Sequence, residues 1–179
     1  MEYAFKAAGG NITGVSCRGK DSVCLVTQKK IPERLIDPTS VTSIYSITPK
    51  IGCLATGLTA DCKAAITRVR YEASDFQYKY GYAIPVHVLA KRVADLNQVR
   101  TQSSGLRILA ATLTLISVDE EKGPQIHKVD PSGHFLPYKA TASGLKEQEA
   151  ANYFEKKVEG ERKREKKREA ASAFLLFVL

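Results

Sequence analysis

The stretch IGCLATGLTADCKAAITRVRYEASDFQYKYGY, residues 51–82, decides the fold, because a short strand runs directly into a long helix there. Small apolar residues from Ile51 to Thr56 predict a buried strand, and Gly57 marks the turn that follows. Thr59 or Asp61 is expected to cap the helix, and Gly81 to end it. Spacings of three and four residues give the helix one apolar face. That face consists of Cys62, Ile66, Val69, Ala73, Phe76 and Tyr80.

The remaining elements are read from the same periodicities. Residues 1–8 predict a helix that ends at two glycines, and a second long helix is expected to begin at Pro85. Ser143 is expected to cap a third helix. Strands are predicted at 11–17, 22–28, 41–48, 51–56, 106–118, 125–129 and 134–142. Runs of strands separated by helices predict an α+β fold, with two stacked antiparallel sheets flanked by helices.

Length and charge divide the chain into two parts. The 179 residues carry a net charge of +8, and residues 155–169 contain eight lysines and arginines against five glutamates. We predict a folded domain over residues 1–158 and a charged, disordered tail with an apolar end over residues 159–179. The apolar run Ala170–Leu179 is about half as long as a bilayer-spanning helix, so no membrane partner is expected.

The cysteines and histidines do not form a recognisable metal or redox motif. Cys17 and Cys24 show no CxxC spacing, Cys53 falls in the central strand, and Cys62 lies on the apolar face of the helix. We interpret the latter two as small buried side chains in a reducing, intracellular compartment. The sequence also lacks a glycine-rich phosphate loop. No metal and no cofactor are therefore predicted.

Several separate motifs, in the right order, resemble the alpha-type subunits of the 20S proteasome. The similarity runs from Met1 to about Val158, and residues 29–30 and 78–82 are most similar to the alpha type-6 branch. The motifs are EYA (2–4), VTQKK (26–30), IGC (51–53), TGLTAD (56–61), YKYGY (78–82), TQ (101–102), DEEKGPQ (119–125) and KATA (139–142).

The resemblance implies both an architecture and a set of partners. The fold would be the αββα sandwich of N-terminal-nucleophile hydrolases, incomplete at its C-terminus. The chain would be a non-catalytic structural subunit of the alpha ring, taking part in ubiquitin-dependent protein degradation in the cytoplasm and nucleus. Its partners would be other alpha subunits, beta subunits and a regulatory particle, without nucleic acid. The interface residues implied are Tyr3, Thr59, Asp61, Tyr78, Tyr80 and Tyr82.

The sequence departs from the family pattern at five places, one of which is Arg100, where the family usually has a tyrosine before Thr-Gln. It begins inside the first helix, without the Tyr-Asp-Arg gate segment, and after Val158 it continues into the charged tail, so we expect a chain shortened at both ends. Residues 107–110 lack the usual proline and glycine of a turn. Ser43 stands where many members present a lysine to the C-terminus of an activator. We therefore expect no salt-bridged capture of a terminal carboxylate at that position.

The sequence offers two other functions, a hydrolase and a basic binding module. Proteasome catalysis uses the free α-amino group of a threonine exposed after a glycine, and no glycine in this sequence is followed by threonine. A cysteine hydrolase built from Cys53 and His134 has no support from spacing. The basic tail could instead form a binding module for RNA or acidic surfaces, which added salt would weaken. A shortened product that does not assemble is the remaining alternative.

Overall fold

The computed structural model describes residues 1–31 and 33–158, and within them the strands form two antiparallel sheets. The helices are α1 (Glu2–Gly9), α2 (Thr59–Tyr80), α3 (Val86–Gln102) and α4 (147–158), with a 3₁₀ turn at Pro38–Ser40. The strands are β1 (Gly14–Arg18), β2 (Val23–Thr27), β3 (Ile44–Thr48), β4 (Ile51–Gly57), β5 (Ala111–Asp119), β6 (Gly123–Val129), β7 (Phe135–Pro137) and β8 (Ala140–Ser143). The strand orders are β3-β4-β5-β6-β7 in the larger sheet and β2-β1-β8 in the smaller one. The predicted fold class is thereby confirmed.

The larger sheet has two buried faces, and its strands alternate between them. Ile51 and Cys53 of β4 belong to the main apolar cluster, together with residues of α2 and α3. Leu54 points the other way, because a Cβ on Gly14 of β1 would come within 2.4 Å of its side chain. On that side the Thr56 hydroxyl also lies 2.9 Å from the Ser143 hydroxyl of β8. The two sheets therefore stack, with α2 and α3 covering the outer face of the larger one.

Helices α2 and α3 are joined by a buried carboxylate as well as by apolar contacts. Glu72 of α2 is almost completely buried and accepts from Arg68 of the same helix at 2.8 Å. Its second oxygen accepts from Arg92 of α3 at 2.6 Å. A carboxylate buried this deeply needs such partners, because an unpaired buried charge is costly. The bridge fixes how the two helices lie against each other.

The strand-to-helix turn depends on the glycine that the sequence marked. Gly57 has φ +140°, a conformation that side chains rarely adopt, and a Cβ there would lie 2.1 Å from the carbonyl oxygen of Ala110. At the other end of α2, Gly81 is left-handed and its N–H donates to Gln77 O. Both glycines are therefore required by the backbone path.

The structure moves the ends of several predicted elements, and three of these corrections are large. Residues 106–110 lie outside any strand, so the long strand begins at Ala111. The strand predicted at 134–142 divides into β7 and β8, which belong to different sheets. Ser143 ends β8 and does not cap a helix, since its hydroxyl is used by Thr56 and α4 begins at residue 147. A continuous apolar pattern cannot show where a strand leaves one sheet for the other.

The predicted helix caps and faces are right in part. Leu58 is the N-cap of α2 and makes no side-chain bond, so neither Thr59 nor Asp61 caps it. The first four residues of the predicted apolar face are buried, namely Cys62, Ile66, Val69 and Ala73, whereas Tyr80 is exposed. Pro85 precedes α3 as its N-cap. The prediction for residues 159–179 lies outside the described residues.

Candidate assembly interface

The N-terminal end of α2 is held by a buried aspartate. Asp61 is 4% exposed, and its carboxylate accepts from Arg107 Nη1 at 2.7 Å and Nη2 at 2.6 Å. It also accepts from the backbone N–H of Ala110 at 2.9 Å. The hydrogen bonds from Arg107 hold the pKa of Asp61 below its ordinary value of 3.8. Asp61 therefore fastens α2 to the segment that leads into β5.

Asp61 faces inward, so Arg107 is the member of this ion pair that reaches the surface. The Arg107 side chain is two-thirds exposed while both of its terminal nitrogens are held by the aspartate. Arginine fixed in this way is a common residue of protein interfaces. Thr59, the first residue of α2, is also exposed. The sequence marked Arg107 only as part of an altered turn, because its partner lies 46 residues away.

Three exposed tyrosines lie at or just after the C-terminal end of α2, namely Tyr78, Tyr80 and Tyr82. Tyr80 and Tyr82 are here called the tyrosine patch. Phe76 supports it, with ring centroids 4.5 Å from Tyr80 and 5.2 Å from Tyr82. Tyr78 is 91% exposed and lies two residues from both Phe76 and Tyr80, so it projects from the other side of the helix. Exposed tyrosines on a firm base suit protein contacts, because they bury large areas at a small entropic cost.

The predicted interface residues do not form one surface. Helix α2 has 22 residues and is therefore about 33 Å long, which separates Thr59 and Asp61 from the tyrosine patch. Tyr3 is 87% exposed on α1, a helix that contacts β4 and β5. The six residues are thus spread over four places on the molecule, because Tyr78 projects from the other side of α2 than Tyr80. Their role in assembly stays a prediction.

A groove beside Ser43 contains cations that the sequence pattern did not indicate. It has a volume of about 510 Å³ and runs between the loop before β3 and the start of α2. Lys30 and Lys63 line it together with Ser43 and Thr59. The expectation that this region offers no cation rested on Ser43 alone. The sequence places Lys63 outside the apolar face of α2, but nothing in it links this lysine to Ser43, which lies 20 residues earlier.

The structure gives no support to a cysteine nucleophile at Cys53. Its thiol is completely buried, and burial raises its pKa well above the ordinary value of 9.0. A reactive cysteine needs the opposite, a lowered pKa and access to solvent. His134 is exposed and lies 3.7 Å from Asp130. The arrangement around Cys53 is that of a small core side chain.

The described residues contain neither a metal-ligand cluster nor a membrane-spanning helix. Across 1–31 and 33–158, no three or more histidine, cysteine or acidic side chains are placed to share a metal ion. In the same part of the chain, no helix combines the length and the apolar character needed to cross a bilayer.

Comparison with known proteins places these features in a family. The family model described as "Proteasome subunit" matches residues 8–178. The chain is 46% identical to "Probable proteasome subunit alpha type-1" of Schizosaccharomyces pombe over 158 residues, which cover 88% of this chain and 65% of that relative. It is 42% identical to "Proteasome subunit alpha type-6" of Caenorhabditis elegans, with the same coverages. It is 38% identical to "Proteasome subunit alpha" of Methanopyrus kandleri, over 87% of this chain and 63% of that relative.

These matches confirm the resemblance to alpha-type subunits. The chain spans about 65% of the length of the first two relatives.

Proposed function

We propose, from the premise that this chain belongs to the proteasome subunit family, that it is a non-catalytic structural subunit of the alpha ring. The observation that carries the proposal is the 46% and 42% identity, over 88% of the chain, to proteins named as alpha-type subunits. Its partners would be other alpha subunits and beta subunits, and its work would be ubiquitin-dependent protein degradation in the cytoplasm and nucleus.

The sequence and the buried thiol support the non-catalytic part of this proposal. No glycine precedes a threonine anywhere in the chain, and a proteasome nucleophile is a threonine freed at that bond. Cys53 is enclosed by the core, so it does not replace the threonine. Any contribution to proteolysis would then come through assembly with subunits that carry the nucleophile.

Two exposed features are the strongest candidates for contacts within a ring. The tyrosine patch and the anchored Arg107 lie at opposite ends of α2 and belong to residue types enriched at interface hot spots. A subunit in a ring has a neighbour on either side and therefore needs two different contact surfaces. The separation of the two features along α2 suits that requirement.

Assembly is tested by expressing the tagged chain in cells and following it on native gels. We expect it to migrate with the proteasome core and to stay there in high salt. Tyr80→Ala, which removes the tyrosine that packs on Phe76, should reduce the assembled fraction severalfold. Tyr71→Ala, which removes another exposed tyrosine of the same helix outside the predicted interface, should leave it unchanged. A chain that runs free at every salt concentration would contradict the proposal, and loss of binding on adding salt would favour the basic binding module.

Imaging the same tagged chain tests its location, which we expect to be the cytoplasm and nucleus.

We further propose that a regulatory particle contacts the groove beside Ser43. Lys30 and Lys63 line this groove, so they can supply the positive charge that Ser43 lacks toward a terminal carboxylate. A peptide with a free C-terminus should bind more tightly than the same peptide with an amidated end, and Lys63→Ala should remove the difference. Lys79→Ala, at the far end of α2, serves as the matched control. Equal binding of both peptides to the unaltered chain would contradict this contact.

A further inference from the structure

Two cysteines lie opposite each other on the β1–β2 hairpin. Cys17 and Cys24 are direct partners in the antiparallel register of these strands. Both are free and exposed. They also line the same groove between this hairpin and α4, so their side chains project from the same face of the sheet. Directly opposed side chains on one face are nearest neighbours in a sheet.

The hydrogen bonds of the hairpin show whether Cys17 and Cys24 are a hydrogen-bonded or a non-hydrogen-bonded cross-strand pair. The N–H of Gly19 donates to Ser22 O at 2.8 Å, which closes the turn. Gly19 and Ser22 are thus a hydrogen-bonded pair, and such pairs alternate with non-hydrogen-bonded ones along an antiparallel ladder. Arg18 and Val23 come next and are the non-hydrogen-bonded pair, so Cys17 and Cys24 form a hydrogen-bonded pair. The Cα atoms of such a pair lie about 5.5 Å apart, within the range of about 4.4–6.8 Å that disulfides span. The two thiols can therefore be joined without moving the strands far.

The other two cysteines of the chain are chemically protected. Cys53 and Cys62 are buried in the apolar cluster beneath α2. Burial raises the pKa of the Cys62 thiol to about 11 and that of Cys53 further still. Thiol exchange requires a thiolate that can reach its target. Of the four cysteines, the hairpin pair alone is exposed.

We propose that Cys17 and Cys24 form a reversible dithiol–disulfide site that exchanges with small disulfides such as glutathione disulfide. One cysteine thiolate attacks a sulfur of glutathione disulfide, forming a mixed disulfide and releasing one glutathione thiolate. The opposite cysteine thiolate then attacks the protein sulfur of that mixed disulfide and releases the second glutathione. The protein loses two protons and two electrons, and these reduce one glutathione disulfide to two glutathione molecules.

The geometry makes the bond easy to reduce again. Directly opposed positions hold their Cβ atoms about 4.5–5.5 Å apart, whereas a relaxed disulfide brings them to about 3.8 Å. The strands must draw together locally to close the bond, and strained, exposed disulfides are the labile ones. The site is thus suited to reversible exchange, and it links two strands of the smaller sheet.

The test uses the full reduced chain and an excess of glutathione disulfide, with intact mass and peptide mapping as readouts. We expect the product to lose two hydrogens, to carry no glutathione and to contain a direct link between the peptides of Cys17 and Cys24. Cys17→Ser and Cys24→Ser should each end with one bound glutathione instead. At a fixed concentration of glutathione disulfide, the ratio of oxidised to reduced protein should fall with the square of the reduced glutathione concentration. Two glutathione molecules are released for each disulfide that forms.

A matched control keeps the number of thiols but moves one of them to the other face. The double variant V23C/C24S places the second cysteine at the neighbouring position of β2, whose partner is Arg18. It should accumulate glutathione adducts without an internal link. Two glutathiones on the unaltered chain, or an internal link that forms equally well in V23C/C24S, would overturn the proposal.

Discussion

The two buried faces of the larger sheet are built from different chemistry. Toward α2 and α3, strand β5 presents Leu113 and Leu115, which are essentially without solvent exposure and belong to the main apolar cluster. Toward the smaller sheet, the same strand presents the buried residues Thr112 and Thr114. On the neighbouring strand β4, Thr56 bonds to the hydroxyl of Ser143. One face is closed by apolar packing and the other also by hydroxyl groups.

The two faces should therefore contribute differently, one mainly to the free energy of unfolding and the other to the relative position of the two sheets. Apolar burial stabilises roughly in proportion to area, so the helix side should carry most of the free energy of unfolding. A buried hydrogen bond contributes only about 1 kcal/mol net, but it requires a defined geometry. The inter-sheet side should therefore fix how the sheets sit on each other more than it stabilises them. Because both faces are covered internally, the exposed ends of α2 remain for other chains.

The largest effect is expected on the helix side. Leu115→Ala leaves a cavity at a site with no solvent exposure and should lower the free energy of unfolding by about 3–5 kcal/mol. Val118→Ala, in the same strand but half exposed, should change it by less than about 0.5 kcal/mol. Urea denaturation of both variants measures the contrast. Equal losses would show that the helix side is not the stabilising face.

The anchor at the start of α2 should have the next largest effect. Asp61→Asn removes the charge that holds Arg107 and should cost about 2 kcal/mol near neutral pH, as for hydrogen bonds to charged groups. Because the pKa of Asp61 is lowered in the folded chain, its stabilisation is complete above its ordinary value of 3.8 and is lost as the pH falls through the folded value. The difference between the parent chain and the variant should therefore shrink below about pH 4. A difference that stays constant down to pH 2 would contradict this role.

A buried histidine is the exception on the apolar side and gives a pH-dependent test. His127 of β6 is the cross-strand partner of Leu115, and burial, followed by the nearby His87, lowers its pKa below the ordinary value of 6.5. The unfolded chain then binds the proton more readily, so stability falls as the pH drops below 6.5. The slope reaches at most about 1.4 kcal/mol per pH unit. Thermal unfolding of His127→Gln should lack this part of the slope, and an unchanged profile would contradict the assignment.

The smallest effect is expected between the sheets. Thr56→Val keeps the shape of the side chain but removes the hydroxyl that lies 2.9 Å from Ser143. It should lower the free energy of unfolding by about 1 kcal/mol. Thr67→Val, on the exposed side of α2 with its hydroxyl bonded within the helix, is the matched control. A cost for Thr56→Val equal to that of Leu115→Ala would remove the distinction between the two faces.

The sequence predicted what depends on local periodicity and missed what depends on distant partners. The β4–α2 unit, its glycines and the buried first half of the α2 face follow from residue spacing over a few turns. The division of residues 134–142 between two sheets does not, because it is set by which strand lies alongside each half. Asp61 likewise matches a helix-cap pattern, but its carboxylate binds the guanidinium group of Arg107, which lies 46 residues later. The cations near Ser43 were missed for the same reason.

The most direct test of this account is cross-linking mass spectrometry on the tagged chain recovered from a native-gel band of proteasome size. Lys63 and Lys79 lie near opposite ends of α2 and report on the two proposed contact regions separately. Lys63 and Lys79 should cross-link to two different neighbours, both named as alpha-type subunits. Where a regulatory particle is bound, Lys63 should also cross-link to it, because this lysine lines the groove beside Ser43. Cross-links confined to chaperones, or a chain absent from that band, would contradict membership of the alpha ring.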